Sequence, residues 1–369
     1  KMKKVIYFVS EDWVFLNHRI DLVKKIQKKG FQVNLIAKQT HYKKIIEKEK
    51  IKFFPIKIDR GSKNIRKSIK TVFILYKIFK KINPDIIHNF GLKQIILGNL
   101  ATIFLKSKKT FNSVIGLGSS FVSGNFLLKY FIINLLRFTL FFKNTYTLVQ
   151  NEDDYNFFKK KIWVRKNKLY INTVSGINLK KIKSIKEPRG KIIFLFASRL
   201  LKDKGIIELI EATRKLSKIN KNFELYIAGN IDSENSSSIS YNQIKSWDAL
   251  ENISYLGYVK NINELYKKVH VSILPSYREG LPKGLLEAAS NGKPIISTNV
   301  TGCKEIVING INGITVNPKN SDEIFEAMKK MILNKKMRLK MGKKGREIIK
   351  KKFLLETTTK KLIDLYNNC

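Results

Sequence analysis

Pro275-Ser276-Tyr277-Arg278-Glu279-Gly280-Leu281-Pro282-Lys283-Gly284-Leu285-Leu286-Glu287 follows directly on the apolar run Val269-His270-Val271-Ser272-Ile273-Leu274. That run is short and rich in β-branched residues, the composition of a buried strand. Pro282 stands where a helix can begin, because the N–H it lacks would have no intrahelical partner there. Glu287, Ala288 and Ala289 continue the helix until Asn291-Gly292 stops it. One carboxylate, Glu279, therefore falls in a strand-to-helix loop, and a second, Glu287, falls inside the helix. Gly280 and Gly284 leave room for a ligand to approach the backbone closely. The geometry suits an extended anionic molecule with hydroxyls at both ends and a phosphate near the helix N-terminus. An ordinary crossover with two surface glutamates has the same spacing, so the rest of the chain must supply the partners.

Outward from this stretch, the second half repeats the same unit. Ile192 to Ala197, Phe223 to Ala228, Ile253 to Leu256, Val269 to Leu274 and Pro294 to Ser297 read as strands with helices between them. Glu187-Pro188-Arg189-Gly190 before them has the look of an interdomain linker. The first half carries its own series at Val5 to Val9, Val33 to Ala37, Phe53 to Ile56, Asp85 to His88, Phe111 to Ile115 and Thr145 to Val149. A helix is expected from Asn17 to Lys29, ended by Gly30. Strands separated by helices predict parallel α/β sheets, with ligands beyond the C-terminal strand ends. In the first half that rule points to the loops at Ser10 to His18, His88 to Lys93 and Gly116 to Ser119. The chain is expected to form two doubly wound domains, residues 1–185 and 186–350. A last helix at 351–369 would pack back on the first domain. The tail from Ser321 reads as helical, with Met328, Met331, Ile332 and Leu339 as its periodic face.

At 369 residues the chain is long enough for two domains, and 43% hydrophobic content is ample for packed cores. The charge is extreme, 72 Lys+Arg against 29 Asp+Glu, or +43. A basic face could meet anionic lipid headgroups. Nucleic-acid binding wants the charge gathered on a face or arm, whereas these lysines are spread over almost every helix, so no nucleic-acid partner is expected. Two cysteines, Cys303 and Cys369, give neither a disulfide framework nor a metal pattern. A reducing, cytoplasmic setting is expected, with no signal peptide and no membrane-crossing span. Phe126 to Phe142 is the nearest approach to a span, broken by Lys129, Asn134 and Arg137. It is apolar on most of its circumference, so it is either a core helix or one lying in a membrane interface.

Arg199-Leu200-Leu201-Lys202-Asp203-Lys204-Gly205 leaves the first strand of the second half. Two cations there, Arg199 and Lys204, can converge on a diphosphate. Together with the E-x7-E element of Glu279 and Glu287, this R-x4-K element resembles the retaining GT-B glycosyltransferases of family GT4. Ala228-Gly229-Asn230, Tyr255-Leu256-Gly257, Leu274-Pro275-Ser276, Thr301-Gly302-Cys303-Lys304-Glu305 and Asn312-Gly313 follow in family order, so the resemblance covers nearly the whole chain. Phe15 to Arg19, His88-Asn89-Phe90-Gly91-Leu92-Lys93, Gly116-Leu117-Gly118 and Asn151-Glu152-Asp153-Asp154 are similar to the bacterial branch that extends lipid-linked O-antigen, capsule or glycan repeat units.

The resemblance implies a GT-B fold, two Rossmann-like domains facing each other across a cleft. It implies that Glu279 meets the donor sugar, that Glu287 meets the ribose, and that Arg199 and Lys204 stabilise the leaving diphosphate. The N–H groups of Gly280 and Leu281 would add to this, and Gly229, Gly257 and Gly118 would border the donor. No DxD metal motif occurs, so no metal and no cofactor beyond the nucleotide-sugar co-substrate is expected. Many family members place a functional His two residues beyond the His that ends the fourth strand. Here that position is Phe90, and His88 holds the earlier one. His88 is the catalytic candidate, with His18 and Lys93 toward the acceptor; His41 and His270 carry no functional reading. The implied partners are a nucleotide-sugar donor, a lipid-linked saccharide acceptor and an anionic membrane surface at the inner face of the cytoplasmic membrane. The same architecture also serves nucleotide-sugar epimerases.

Overall fold

The computed structural model describes residues 2–58, 64–105, 109–117, 126–142, 144–233, 235 and 237–369. They form two compact units. One comprises Lys1–Gly176 with Leu355–Cys369, and the other comprises Ile177–Leu354.

The first unit is built on strands β1 (Lys3–Glu11), β2 (Phe31–Lys38), β3 (Lys52–Pro55), β4 (Ile86–Phe90), β5 (Lys109–Ser113), β6 (Thr145–Val149) and β7 (Leu169–Ile171). All pair in parallel, in the order β3-β2-β1-β4-β5-β6-β7. Both faces of β1 are covered, which is why Val5 to Val9 reads as one apolar run. Val5, Tyr7 and Val9 enter one cluster with Phe15, Leu22 and the C-terminal residues Leu362 and Tyr366. Ile6 and Phe8 enter another with Leu75, Phe79 and Leu97. The alternation of side chains along a strand divides the two cores. The helix Ile65–Ile82 opens on Asn64, whose side chain accepts from the Lys67 N–H, and closes on Asn83 at φ 49°. The last helix, Leu355–Asn368, belongs to this unit through Leu355, Leu362 and Tyr366.

The second unit has strands β8 (Ile192–Ala197), β9 (Phe223–Ala228), β10 (Ile253–Gly257), β11 (Val271–Leu274), β12 (Ile295–Thr298) and β13 (Gly313–Val316). They are again all parallel, ordered β10-β9-β8-β11-β12-β13.

Several expectations shift in detail. The first helix runs Asp12–Gln27 and starts earlier than Asn17. Strands β7 and β13 have no counterpart in the sequence reading. The tail breaks into Ser321–Leu333, Lys335–Lys352 and Leu355–Asn368, with the Asn334 side chain capping the second of these through the Met337 N–H. Leu339 does not join the apolar face with Met328 and Met331; it is 49% exposed. The helix Phe126–Leu140 is not a core helix around its circumference. It buries Leu136, Thr139 and Leu140, and leaves Phe126, Leu127, Tyr130, Phe131 and Phe138 exposed. Among the described residues no helix is long and apolar enough to cross a membrane.

Candidate active site

In the second sheet, chain order reverses beside β8: β9 lies on one side of it and β11 on the other. Loops that leave the C-terminal ends of two such strands diverge, and the gap between them is where open parallel sheets take ligands. The loop after β8 carries Arg199 and Lys204; the loop after β11 carries Ser276 and Glu279. Gly205 brings the two together. It sits at φ +71°, and a Cβ there would lie 2.0 Å from the Pro275 carbonyl oxygen, so only glycine lets this helix start against the other loop.

Across that gap the Lys204 Nζ donates to Glu279 Oε1 at 2.5 Å. The Ser276 hydroxyl donates to the same oxygen at 2.7 Å. The two charged side chains are only 12% and 13% exposed. The loop is tied to its neighbours by the Glu279 N–H donating to the Thr301 carbonyl at 3.1 Å, and by the Thr298 hydroxyl donating to the Ser276 carbonyl at 2.5 Å. Cys303 is buried nearby; burial, and then the Glu279 charge, push its thiol up to about 12, so it stays neutral. Arg199 is held differently. Its Nη1 donates to Asp232 Oδ2 at 2.7 Å, with 37% of the arginine side chain still exposed.

The helix Lys283–Ser290 starts at the end of the Glu279 loop, and no side chain caps it at Pro282. Glu287 lies on it, paired with Lys283 at 3.2 Å and 18% exposed. Gly280 and Leu281 are buried in the loop. Gly229 and Gly257 follow β9 and close β10, joined by the Gly229 N–H donating to the Gly257 carbonyl at 2.8 Å. The structure thus brings Arg199, Lys204, Glu279, Gly280, Leu281 and the start of the Glu287 helix to one end of one sheet. Gly118 lies outside the described residues.

The first-unit candidates stand apart in character. His88 on β4 is fully buried. Its Nδ1 meets the Tyr366 hydroxyl at 2.5 Å, its Nε2 meets Ser113 Oγ at 2.7 Å, and Tyr366 donates on to the Tyr7 hydroxyl at 3.2 Å. Burial, and then the Arg19 charge, hold the imidazole well below its ordinary pKa. With both nitrogens engaged, His88 joins β1, β4, β5 and the last helix, and in this arrangement it positions elements rather than exchanging a proton with a substrate. Phe90 stacks on it at 4.1 Å, under the guanidinium of Arg19. His18 is half-buried on the first helix, and its carbonyl accepts from Arg19 at 3.1 Å. Lys93 is half-buried in the first turn of Leu92–Thr102. Asn151 caps its helix by accepting from the Asp154 N–H at 2.7 Å, a structural use of that quartet.

Sequence reading passed over Ser276 and Asp232 as individual residues. Ser276 had a signal, since it lies three residues before Glu279. Asp232 had none, being far from Arg199 in sequence. Asp12 was also missed: buried at the start of the first helix, it accepts from the Thr40 N–H at 2.8 Å and fixes the loop after β2.

Known proteins are similar to both halves of the chain. The family model "Glycosyl transferases group 1" matches residues 178–348, and "Glycosyl transferase 4-like" matches residues 4–150. The N,N'-diacetylbacillosaminyl-diphospho-undecaprenol alpha-1,3-N-acetylgalactosaminyltransferase of Campylobacter jejuni is 29% identical over 92% of each chain. The UDP-Gal:alpha-D-GlcNAc-diphosphoundecaprenol alpha-1,3-galactosyltransferase of Escherichia coli is 24% identical, over 91% of this chain and 89% of its own. The crystal structure of a glycosyltransferase from Rickettsia africae superposes with a TM-score of 0.78 at 20% identity, covering 100% of this chain and 98% of that one. With its two halves matched in order, this chain belongs to the group 1, GT4-like glycosyltransferases and has the GT-B fold.

Proposed function

We propose that the protein moves a hexose or N-acetylhexosamine from a nucleotide diphosphate sugar, with UDP as the nucleotide, onto a polyprenyl-diphosphate-linked saccharide, with retention of anomeric configuration. The observation that carries the donor reading is the Lys204–Glu279 pair, 2.5 Å across the switch point of the second sheet with Arg199 on the same loop as the lysine. The acceptor reading is supported by the two relatives, whose names place their acceptors on diphospho-undecaprenol.

Arg199 and Lys204 bind the diphosphate and stabilise the charge that grows as it leaves. The N–H groups of Gly280 and Leu281 add to them; Pro282 has none to give. Glu279, released from Lys204 by the diphosphate, accepts hydrogen bonds from hydroxyls of the donor sugar, and Glu287 accepts from the ribose. The acceptor attacks from the face the diphosphate departs from, and the departing phosphate oxygen takes its proton, so neither glutamate acts as a base. The two cations supply the charge stabilisation, and the reading requires no metal. His18 and Lys93 serve the acceptor side, with His88 as a positioning residue.

The same reading holds the protein against the inner face of the cytoplasmic membrane. Phe126, Leu127, Tyr130, Phe131, Phe138 and Phe141 are all more than half exposed, as is Trp163. The Arg137 guanidinium lies 3.6 Å from the Trp163 ring centre, and Lys159, Lys160 and Lys161 stand just before that tryptophan in sequence. An apolar strip with a basic border suits an anionic bilayer, at roughly 1 kcal/mol per well-placed basic residue.

The test is donor-induced thermal stabilisation over a panel of UDP-, GDP- and dTDP-sugars, followed by transfer to a polyprenyl-diphosphate saccharide. UDP-sugars are expected to stabilise the protein and to yield an α-linked product only when acceptor is present. Interconversion of sugars by donor alone would replace the transferase reading with epimerisation, and stabilisation by GDP-sugars alone would overturn the nucleotide.

A further inference from the structure

Every strand of the second sheet runs in parallel, so residues that precede β11 and β12 lie at the end opposite the Glu279 loop. There, about a strand's length away (on the order of 15 Å), is a cavity of about 500 Å³. His270, just before β11, and Lys293 and Pro294, just before β12, form its floor with the segment 184–187. The helix Lys335–Lys352 forms a wall. Its residues 339, 343, 346 and 350 recur at four, three and four, the spacing of one helix face. The close seat comes from glycine: a Cβ on Gly342 would lie 2.0 Å from the Gly292 carbonyl oxygen. That contact sets the wall beside the turn from which Lys293 departs.

The lining is strongly basic. Lys186, Lys293, Arg338, Lys343, Arg346 and Lys350 outweigh Glu187 and Glu347. Both carboxylates are already committed. Glu187 accepts both arms of Arg338 at 2.8 Å, and Glu347 pairs with Lys344 at 2.8 Å. Arg346 donates to the Ser290 and Ile182 carbonyls. His270 accepts from the Ile193 N–H at 3.0 Å and meets the Pro188 carbonyl at 3.2 Å. Lys293 is the exception: only 2% exposed, its Nζ has no hydrogen-bond partner. Burial pulls this amine down to about 8, and the Glu187 charge opposes the shift. A buried amine without a hydrogen-bond acceptor is costly.

We infer that this cavity is a second anion site, taking a phosphate-bearing ligand of sugar-phosphate size, with Lys293 donating from the floor and Lys343 and Lys350 from the wall. A free phosphate ester and a lipid headgroup share this chemistry. The helix Lys283–Ser290 begins at the Glu279 loop and ends on Asn291-Gly292-Lys293, so the same short element carries Glu287 and leads into this cavity.

The experiment uses the full chain as R199A/K204A, which removes the phosphate-binding cations of the first site. Pyrophosphate and glucose 1-phosphate are titrated at constant ionic strength, read by thermal shift and by phosphorus NMR line width. In parallel, phosphatidylcholine vesicles with and without phosphatidylglycerol are sedimented with the protein. The expected result is saturable binding to the free phosphates that weakens about tenfold or more with K293M, the loss of a hydrogen bond to a charged group. K343A/K350A, both exposed and safe for folding, is expected to weaken it severalfold. Binding only to phosphatidylglycerol vesicles, and lost in both variants, supports the site with a lipid headgroup as its source. No response to either probe, or a response that neither K293M nor K343A/K350A changes, overturns the inference.

Discussion

Lys204→Met is the most direct probe of the pair at the switch point. It removes the ammonium but keeps most of the side-chain volume, leaving the Glu279 carboxylate, 13% exposed, with the Ser276 hydroxyl as its remaining partner in the pair. Breaking one side of a buried pair typically costs about 3–5 kcal/mol; some exposure and one surviving hydrogen bond bring the expectation here to about 2–4 kcal/mol. Glu279→Gln leaves Lys204 an amide oxygen to donate to and should cost about 1–2 kcal/mol. In the double variant neither charge is stranded, so the cycle should show a coupling of about 2 kcal/mol. Trp247 reports on the second unit, being 6% exposed within it, so urea unfolding is followed by its fluorescence in a W13F/W163F background. Activity should separate from stability. K204M and E279Q should both lose transfer, by roughly a hundredfold, from about 3 kcal/mol of lost transition-state contact. E279Q should nonetheless bind UDP at least as tightly as the unsubstituted protein, because it frees Lys204 for the diphosphate. Costs that add within about 0.5 kcal/mol would mean the pair is not coupled, and E279Q with full transfer would remove Glu279 from the site.

Other outcomes follow from the same structure. Gly205→Ala, at φ +71° and against the Pro275 carbonyl, should cost more than about 2 kcal/mol and lower donor-induced stabilisation, measured by thermal shift. Replacing Phe126, Phe131 and Phe138 by Ser should raise the vesicle dissociation constant by at least a hundredfold, since each exposed ring contributes about 1.5–3 kcal/mol when it enters an apolar phase; unchanged flotation would sink the membrane reading. His88 titrates lower in the folded chain than its ordinary 6.5, so the unfolded chain binds the proton first. Stability should therefore be full above about pH 6.5 and fall by up to about 1.4 kcal/mol per pH unit as the pH drops below it. H88Q should flatten that slope in denaturant titrations at a series of pH values.

The strand runs were legible because parallel strands buried on both faces must be apolar throughout, as Val5 to Val9 and Ile192 to Ala197 are. β7 and β13 were not, because the first has only three residues and the second opens on Gly313, a residue that weakens a strand pattern. Glu279 and Lys204 were legible as candidates, but their contact was not. It spans 75 residues and depends on the strand order, which puts the β8 and β11 loops side by side. The Phe126–Leu140 helix stayed open for a different reason: an apolar circumference does not say whether protein or lipid covers it, and here Leu136, Thr139 and Leu140 are buried, Ile132 and Ile133 pack partly on the core, and Phe126, Leu127, Tyr130, Phe131 and Phe138 are exposed. Lys293 carried no signal at all. Asn291-Gly292 read as a helix stop, and the helix that closes over it comes from residues far downstream.

The resting site has a further property that follows from its charges. In a chain of net charge +43, two uncommitted cations at a strand-end crevice would collect any phosphate in solution. Both are instead held by carboxylates, Lys204 by Glu279 and Arg199 by Asp232. A simple phosphate must displace these carboxylates and gives them nothing in return. In the proposed donor complex the sugar hydroxyls lie beside Glu279 and can donate to it once Lys204 has turned to the diphosphate, so only a ligand with both parts satisfies both sides of the exchange. Selectivity for a nucleotide sugar over a bare anion would then reside in the carboxylates, not in the cations. The consequence is measurable in one comparison. E279Q and D232N should each narrow the affinity gap between UDP-sugar and inorganic pyrophosphate, by raising pyrophosphate binding rather than by lowering UDP-sugar binding alone. If pyrophosphate affinity is the same in both variants as in the unsubstituted chain, the paired carboxylates play no part in excluding it.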